Sequence, residues 1–189
     1  QPDFTSSLEN QGGSPAANTL NRPNFAIVCD GKLILTDKYN NRVLIYNSIP
    51  KENNAKANVV IGQSDFTSNS ANQGGAIGSN TLKYPTGVLC ADNKLLIPDV
   101  GNNRILIYNS IPTVNNASAD VVIGNDNFTS LKHGCLANRI VLANYTSGGL
   151  AYDGERLYVA DDFNSRVLIF NSIPTENNAE ASLVLGQDS

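Results

Sequence analysis

Methionine and tryptophan are absent from the chain, and histidine occurs once. A run of 189 residues without methionine is read as a processed chain or as one part of something longer. One histidine cannot supply the several soft nitrogen ligands that a catalytic transition metal needs. Positive charge is sparse too. The 13 basic residues are scattered singly and leave a net charge of -4, so the basic stripe that a phosphate backbone requires is missing and nucleic acid is excluded as a partner. Apolar runs such as Ile140 to Ala143 fall far short of the roughly 20 residues that cross a bilayer. No signal-peptide pattern opens the chain. It is expected to be soluble with no membrane span. There is also no glycine-rich phosphate loop, no Gly-x-Ser-x-Gly elbow and no Cys-x-x-Cys pair, which removes the common nucleotide-dependent, serine-hydrolase and dithiol chemistries.

Cysteine is scarce. Cys29, Cys90 and Cys135 form an odd set without metal-ribbon spacing. Cys29 and Cys90 each precede an Asp in an expected strand, but one position out of step, so the pleat turns them to opposite faces. The expectation is small buried thiols rather than a disulfide.

What the chain has in quantity is asparagine, 27 residues of it, and hydrophobic residues at 41%. That is enough apolar material for a real core. Few lysines beside much Asn, Ser, Thr and Gly point to a secreted or surface-displayed repeat protein. The repeat is explicit. Asn41-Arg42-Val43-Leu44-Ile45-Tyr46-Asn47-Ser48-Ile49-Pro50 returns 62 residues later from Asn103 to Pro112, and 62 later again from Ser165 to Pro174. A second marker keeps the same step, from Asp3-Phe4-Thr5-Ser6 to Asp65-Phe66-Thr67-Ser68 to Asn127-Phe128-Thr129-Ser130. Two markers in phase define units of about 1–63, 64–125 and 126–189 within a single array.

Each unit reads as four strands. In the first these are Ala26–Cys29, Leu33–Thr36, Arg42–Tyr46 and Val59–Ile61. Asp30-Gly31 predicts a tight hairpin, because both turn positions want positive φ. Asp92-Asn93 and the longer Asp153-Gly154-Glu155-Arg156 take its place in the other two units. Four short antiparallel strands cannot close a core alone, so each unit must stack on the next. A single twelve-stranded sandwich would not hold a fixed repeat phase.

Leu157-Tyr158-Val159-Ala160-Asp161-Asp162-Phe163-Asn164-Ser165-Arg166-Val167-Leu168-Ile169-Phe170 resembles the NHL repeat, an apolar strand, Asp, a short turn with Asn, then Arg-Val and apolar residues. Asp37 to Arg42 and Asp99 to Arg104 match equally well, as do Pro23 and Pro85 ahead of the first strand; the third unit has Thr146 there instead. The resemblance covers essentially the whole chain. It implies an all-β, NHL-type β-propeller with three four-stranded blades in this chain. The family commonly closes with six blades, so two open apolar faces are expected. Either a second copy completes the ring head-to-tail under two-fold symmetry, or further blades lie elsewhere in the same polypeptide. A polymer is the other head-to-tail outcome.

A polar residue present in every unit is explained by what every unit must do, which is fold. Asp37, Asp99 and Asp161 with Arg42, Arg104 and Arg166 are therefore read as structural struts. Calcium at these turns is the lesser reading, because dense alternating carboxylates are missing; no cofactor is expected. The segment most unlike its siblings is Leu131 to Arg139, standing where Asn10 to Gly13 and Asn72 to Gly75 stand in the other units. Its Lys132, His133, Cys135 and Arg139 are the candidate binding residues. His133 and Cys135 lie too close in the chain to act as base and nucleophile. Linkers of about twenty residues between units are candidate contact loops. Asn116, Asn127 and Asn144 begin glycan-acceptor triplets. The expected function is a non-catalytic binding or scaffolding module for protein or glycan in an extracellular or cell-surface assembly. The alternative is part of a propeller lyase or hydrolase whose metal or active site other blades or a second subunit complete.

Overall fold

A computed structural model describes residue 5, residues 7–142 and residues 149–187. It is all-β: twelve strands form three separate four-stranded antiparallel sheets, each a simple meander. The first sheet holds β1 (Pro23–Cys29), β2 (Lys32–Asp37), β3 (Arg42–Tyr46) and β4 (Val59–Ile61). The second holds β5 (Leu89–Ala91), β6 (Lys94–Asp99), β7 (Arg104–Tyr108) and β8 (Val121–Ile123). The third holds β9 (Leu150–Tyr152), β10 (Leu157–Asp161), β11 (Arg166–Phe170) and β12 (Leu183–Leu185). The expected strands are recovered within a residue or two, except that β1 begins earlier. After a bulge, Pro23 pairs with Asp37, and Pro85 forms the matching isolated bridge to Asp99. Thr146, where the third unit departs from proline, lies outside the described residues.

Local chemistry sets the turns. Asp30 and Gly31 stand at φ 48° and 70°, and Asp92 and Asn93 at 49° and 60°, the doubly left-handed turn whose twist matches paired strands. The third hairpin is one closed by a side chain: Asp153 accepts from the Glu155 and Arg156 N–H groups. Between the second and third strands of each sheet a single 3-10 turn ends on a left-handed residue, Asn41, Asn103 or Ser165.

The cores lie between the sheets. Alternation along each strand gives two apolar faces. Ile34, Val43, Ile45, Val59 and Ile61 on the trailing face of the first sheet pack against Leu95, Ile97, Leu106, Tyr108 and Val122 on the leading face of the second. The trailing face of the second, with Leu96, Ile105, Ile107 and Ile123, packs in the same way on Leu157, Val159, Leu168 and Phe170 of the third. The first strands of successive sheets adjoin, β1 against β5 and β5 against β9. Leu82 and Ile140, from the linkers, are wedged into these interfaces. They sit so close to Gly62 and Gly124 that a Cβ there would lie within 2.5 Å of Leu82 in the first case and would collide with Ile140 in the second. With φ of +89° and +91° as well, glycine is required at both positions.

One expectation is corrected. Cys29 and Cys90 form a disulfide, and Cys135 is the free thiol. Within one sheet the pleat does turn these two positions to opposite faces. Stacked sheets meet trailing face to leading face, so two cysteines pointing to opposite faces of their own sheets point towards each other across the interface.

Candidate functional site

The most elaborate polar construction is the strut, built three times. In the first unit the Asp37 carboxylate accepts from Arg42 Nε (2.7 Å), Asn40 Nδ2 (2.8 Å) and the Asn21 N–H (2.6 Å). The guanidinium then donates to the carbonyls of Ala16, Thr19 and Phe66, two on one side of the sheet and one in the linker to the next unit. Asp99 and Arg104 repeat this with Asn102, the Lys83 N–H, and the carbonyls of Gly78, Thr81 and Phe128. Both Asp–Arg pairs are fully buried. Burial pushes the Asp37 and Asp99 carboxyls upward, against the pull of Arg42 and Arg104; dehydration is the dominant cost, which is why every oxygen is met by donors.

The third unit is where the pattern breaks. Asp161 still holds Arg166 Nε at 2.7 Å and Asn164, but its backbone partner is Val141, 20 residues upstream instead of 16. The linker has slipped by four residues while the strands kept the 62-residue phase. Leu136 and Arg139 now supply the carbonyls for Arg166 Nη2, and Nη1, which reaches Phe66 and Phe128 in the other units, turns to the Cys135 carbonyl.

Two of the candidate binding residues, Cys135 and Arg139, take over jobs done elsewhere by asparagine and glutamine. In units one and two, Asn10 with Asn40 and Asn72 with Asn102 exchange reciprocal amide hydrogen bonds. In unit three the Cys135 thiol donates to Asn164 Oδ1, and Asn164 Nδ2 donates to the Gly134 carbonyl. Gln11 and Gln73 donate to the left-handed Asn54 and Asn116; Arg139 does this for Asn178. Arg139 also pairs with Asp126, which Lys132 Nζ meets at 2.6 Å. His133 Nδ1 lies 3.1 Å from Asn103 Nδ2. Because Asn103 Oδ1 accepts from the Leu142 N–H, its amide nitrogen is the donor and the imidazole accepts. Lys132 and Arg139 therefore converge on Asp126, whereas His133 and Cys135 attach separately to neighbouring turns. Among the described residues no group of three or more His, Cys, Asp or Glu side chains is placed to hold a metal.

These replacements give Asp126 a specific job. Lys132 first, then Arg139, hold its carboxyl below the ordinary carboxylate value. A depressed folded-state pKa stabilises the loop above the unfolded value, and that contribution disappears as pH falls through the folded pKa. Asp126→Asn is accordingly expected to speed amide hydrogen exchange in residues 125–139 at neutral pH while leaving β6 and β7 protected. Equal exchange in both proteins would dismiss the role.

Residues that sequence reasoning missed are the asparagines between units. Asn115 Oδ1 accepts from the Val60 N–H at 3.1 Å and Asn177 Oδ1 from the Val122 N–H at 2.9 Å, while the Asn116 and Asn178 N–H groups donate to the Val60 and Val122 carbonyls. Their only signal was recurrence in phase among 27 asparagines. Of the glycan-acceptor triplets, Asn116 Oδ1 accepts from Gln73 and Asn80 of its own unit, Asn127 is exposed with its Oδ1 accepting from Thr129 and Ser130 in its own turn, and Asn144 lies outside the described residues. At the first-strand ends, Tyr152 donates to Asp92 and is pushed up to about 12 by that carboxylate. Hydrogen bonds from the Arg156 N–H, the Tyr158 hydroxyl and the Glu155 N–H hold Asp153 down at about 2.

Compared with protein-family models the chain matches none, and no curated protein matches it.

Proposed function

We propose that this chain is an NHL-like β-propeller segment acting as a non-catalytic binding or scaffolding module in an extracellular or surface assembly. The observation that carries the reading is the consumption of polar groups. Each strut, and Cys135 and Arg139 of the third linker, spend their hydrogen bonds holding turns and linker together. An active site needs the reverse, groups held in place yet left unsatisfied towards a substrate. The stacked four-stranded meanders with adjoining first strands support the propeller part of the proposal. The inter-sheet disulfide fits an oxidising compartment.

The recognition surface proposed is the set of long linkers, with the divergent third one supplying specificity. The test is an array of glycans and extracellular proteins probed with the intact chain and with a variant whose residues 126–139 are replaced by those of 64–81. Saturable binding that the replacement abolishes is the expected result. Turnover of a substrate that depends on added metal and survives the replacement would overturn the proposal in favour of the enzyme reading.

A further inference from the structure

The two internal interfaces are built from the same parts, and the outermost sheets carry the matching halves uncovered. Between consecutive units three contacts recur. A linker apolar side chain, Leu82 or Ile140, sits over a glycine that follows the fourth strand, Gly62 or Gly124. An asparagine pair from the next unit, Asn115-Asn116 or Asn177-Asn178, caps both backbone groups of an edge valine, Val60 or Val122. Third, an aromatic linker residue, Phe66 or Phe128, packs against the leading face beside the strut arginine, which donates to its carbonyl.

On the third sheet the acceptor half of each contact is present without its complement among the described residues. Gly186 keeps φ +93°, yet a Cβ there would meet only Ser165 and Arg166 of its own sheet. Val184 is the edge valine in the place of Val60 and Val122, and no asparagine reaches it. Leu183 and Leu185 are 54% and 56% exposed, whereas their counterparts Val59, Ile61, Val121 and Ile123 are all below 5%. Where Phe66 and Phe128 sit in the other units there is a cavity of about 370 Å³ lined by Leu136, Arg166, Leu168 and Val184. The donor halves stand on the first unit: Leu20 in phase with Leu82 and only half-buried, and Asn53-Asn54 in phase with Asn115-Asn116. On the leading face of the first sheet Leu35, Leu44, Tyr46 and Val60 are buried beneath Leu20, Ala55 and Phe66, which remain partly exposed as its outer layer.

We infer that the trailing face of the third sheet is a docking surface for the leading face of the first sheet of a second copy of this chain. Leu20 of one copy seats over Gly186 of the other, and Asn53-Asn54 caps Val184. The occupant is a second copy because this chain's own first unit carries each complementary group, a leucine and an asparagine pair, at the repeat phase. The inference rests on the stacked-sheet part of the proposed function and not on ligand recognition, so failure to find a ligand leaves it untouched. Ring closure by two copies and an open filament are both head-to-tail products.

The experiment is light scattering on the wild-type chain and on two surface variants, Leu20→Asp and Leu185→Asp, each first shown to keep the Cys29 to Cys90 bond and β-type circular dichroism. Wild type is expected at twice the 20.2 kDa chain mass or a higher multiple. Each variant alone should associate about tenfold or more weakly, the effect of losing one buried leucine contact. Mixing the two should restore association, since the sound trailing face of one meets the sound leading face of the other. A wild-type chain that stays at single mass up to its solubility limit would overturn the inference. So would a Leu20→Asp variant that remains fully associated while Leu185→Asp does not, which is the signature of like faces pairing.

Discussion

Arg104→Ala lowers the free energy of unfolding by about 3–5 kcal/mol, the cost of leaving a buried charge without its partner. The reason is specific to the middle unit. Arg104 is fully buried against Asp99 and donates to three carbonyls, at Gly78, Thr81 and Phe128, in the linkers before and after its own sheet. Removing the guanidinium takes this donor from the Thr81 and Phe128 carbonyls and from Asp99, while Gly78 keeps its bonds from Thr81, and in a dry interior an unmet carbonyl and an unpaired carboxylate are each costly. Arg104→Lys should not rescue it, because a point charge cannot reproduce a fork that holds one carboxylate and three carbonyls. Arg166→Ala is expected to cost less, because its Nη1 already turns to the exposed Cys135 carbonyl. Burial raises the Asp99 carboxyl against the pull of Arg104, so the Arg104→Ala protein loses the largest influence that opposes the rise. A raised folded-state pKa favours folding at low pH and loses that advantage as pH rises through it, so the deficit narrows as pH falls. Urea melts at several pH values with unchanged m-values measure this directly. A loss under about 1 kcal/mol would mean that the strut is ornament on a fold held by its sheets.

The struts also explain how much of this molecule could be read from its sequence. Arg42, Arg104 and Arg166 repeat at 62 residues because each must reach the same carboxylate and the same turn carbonyls, and such a constraint leaves a visible period. Strand positions followed from that period and from the Asp30-Gly31 turn. What did not follow were relations between units. The four-residue slip that brings Val141 to Asp161 is invisible when strands keep their phase, because a loss before Arg139 is offset by an insertion after it. Lys132 and Arg139 differ visibly from their counterparts in the other units, yet a chain read by itself does not say that they converge on Asp126. His133 and Cys135 stood out for their rarity, and rarity marks replacement as readily as chemistry: Cys135 does for Asn164 what Asn10 does for Asn40.

Breaking the bond between Cys29 and Cys90 should be felt nearly as strongly as losing the central strut. The two residues are 61 apart, and closing a loop of that length in the unfolded chain costs about 4 kcal/mol in the chain-entropy account. The location adds to the expectation. β1 is the least covered strand of its sheet, with Phe25 39% and Val28 61% exposed, so little apolar burial holds it beside β5. A paired Cys29→Ser and Cys90→Ser chain, compared with wild type in denaturant under oxidising conditions, is expected to lose most of that 4 kcal/mol. Hydrogen exchange should place the first opening in β1, while β3 and β7, buried along their whole length, stay protected until global unfolding. If the serine chain unfolded at the wild-type midpoint, the sheets would be shown to hold together by apolar packing alone. The same chain should keep its association state, because Gly186, Val184 and Leu20 lie away from the first-strand edge that the disulfide secures; a disulfide-free protein that both unfolds early and still pairs would separate what fastens the first two sheets from what gathers copies.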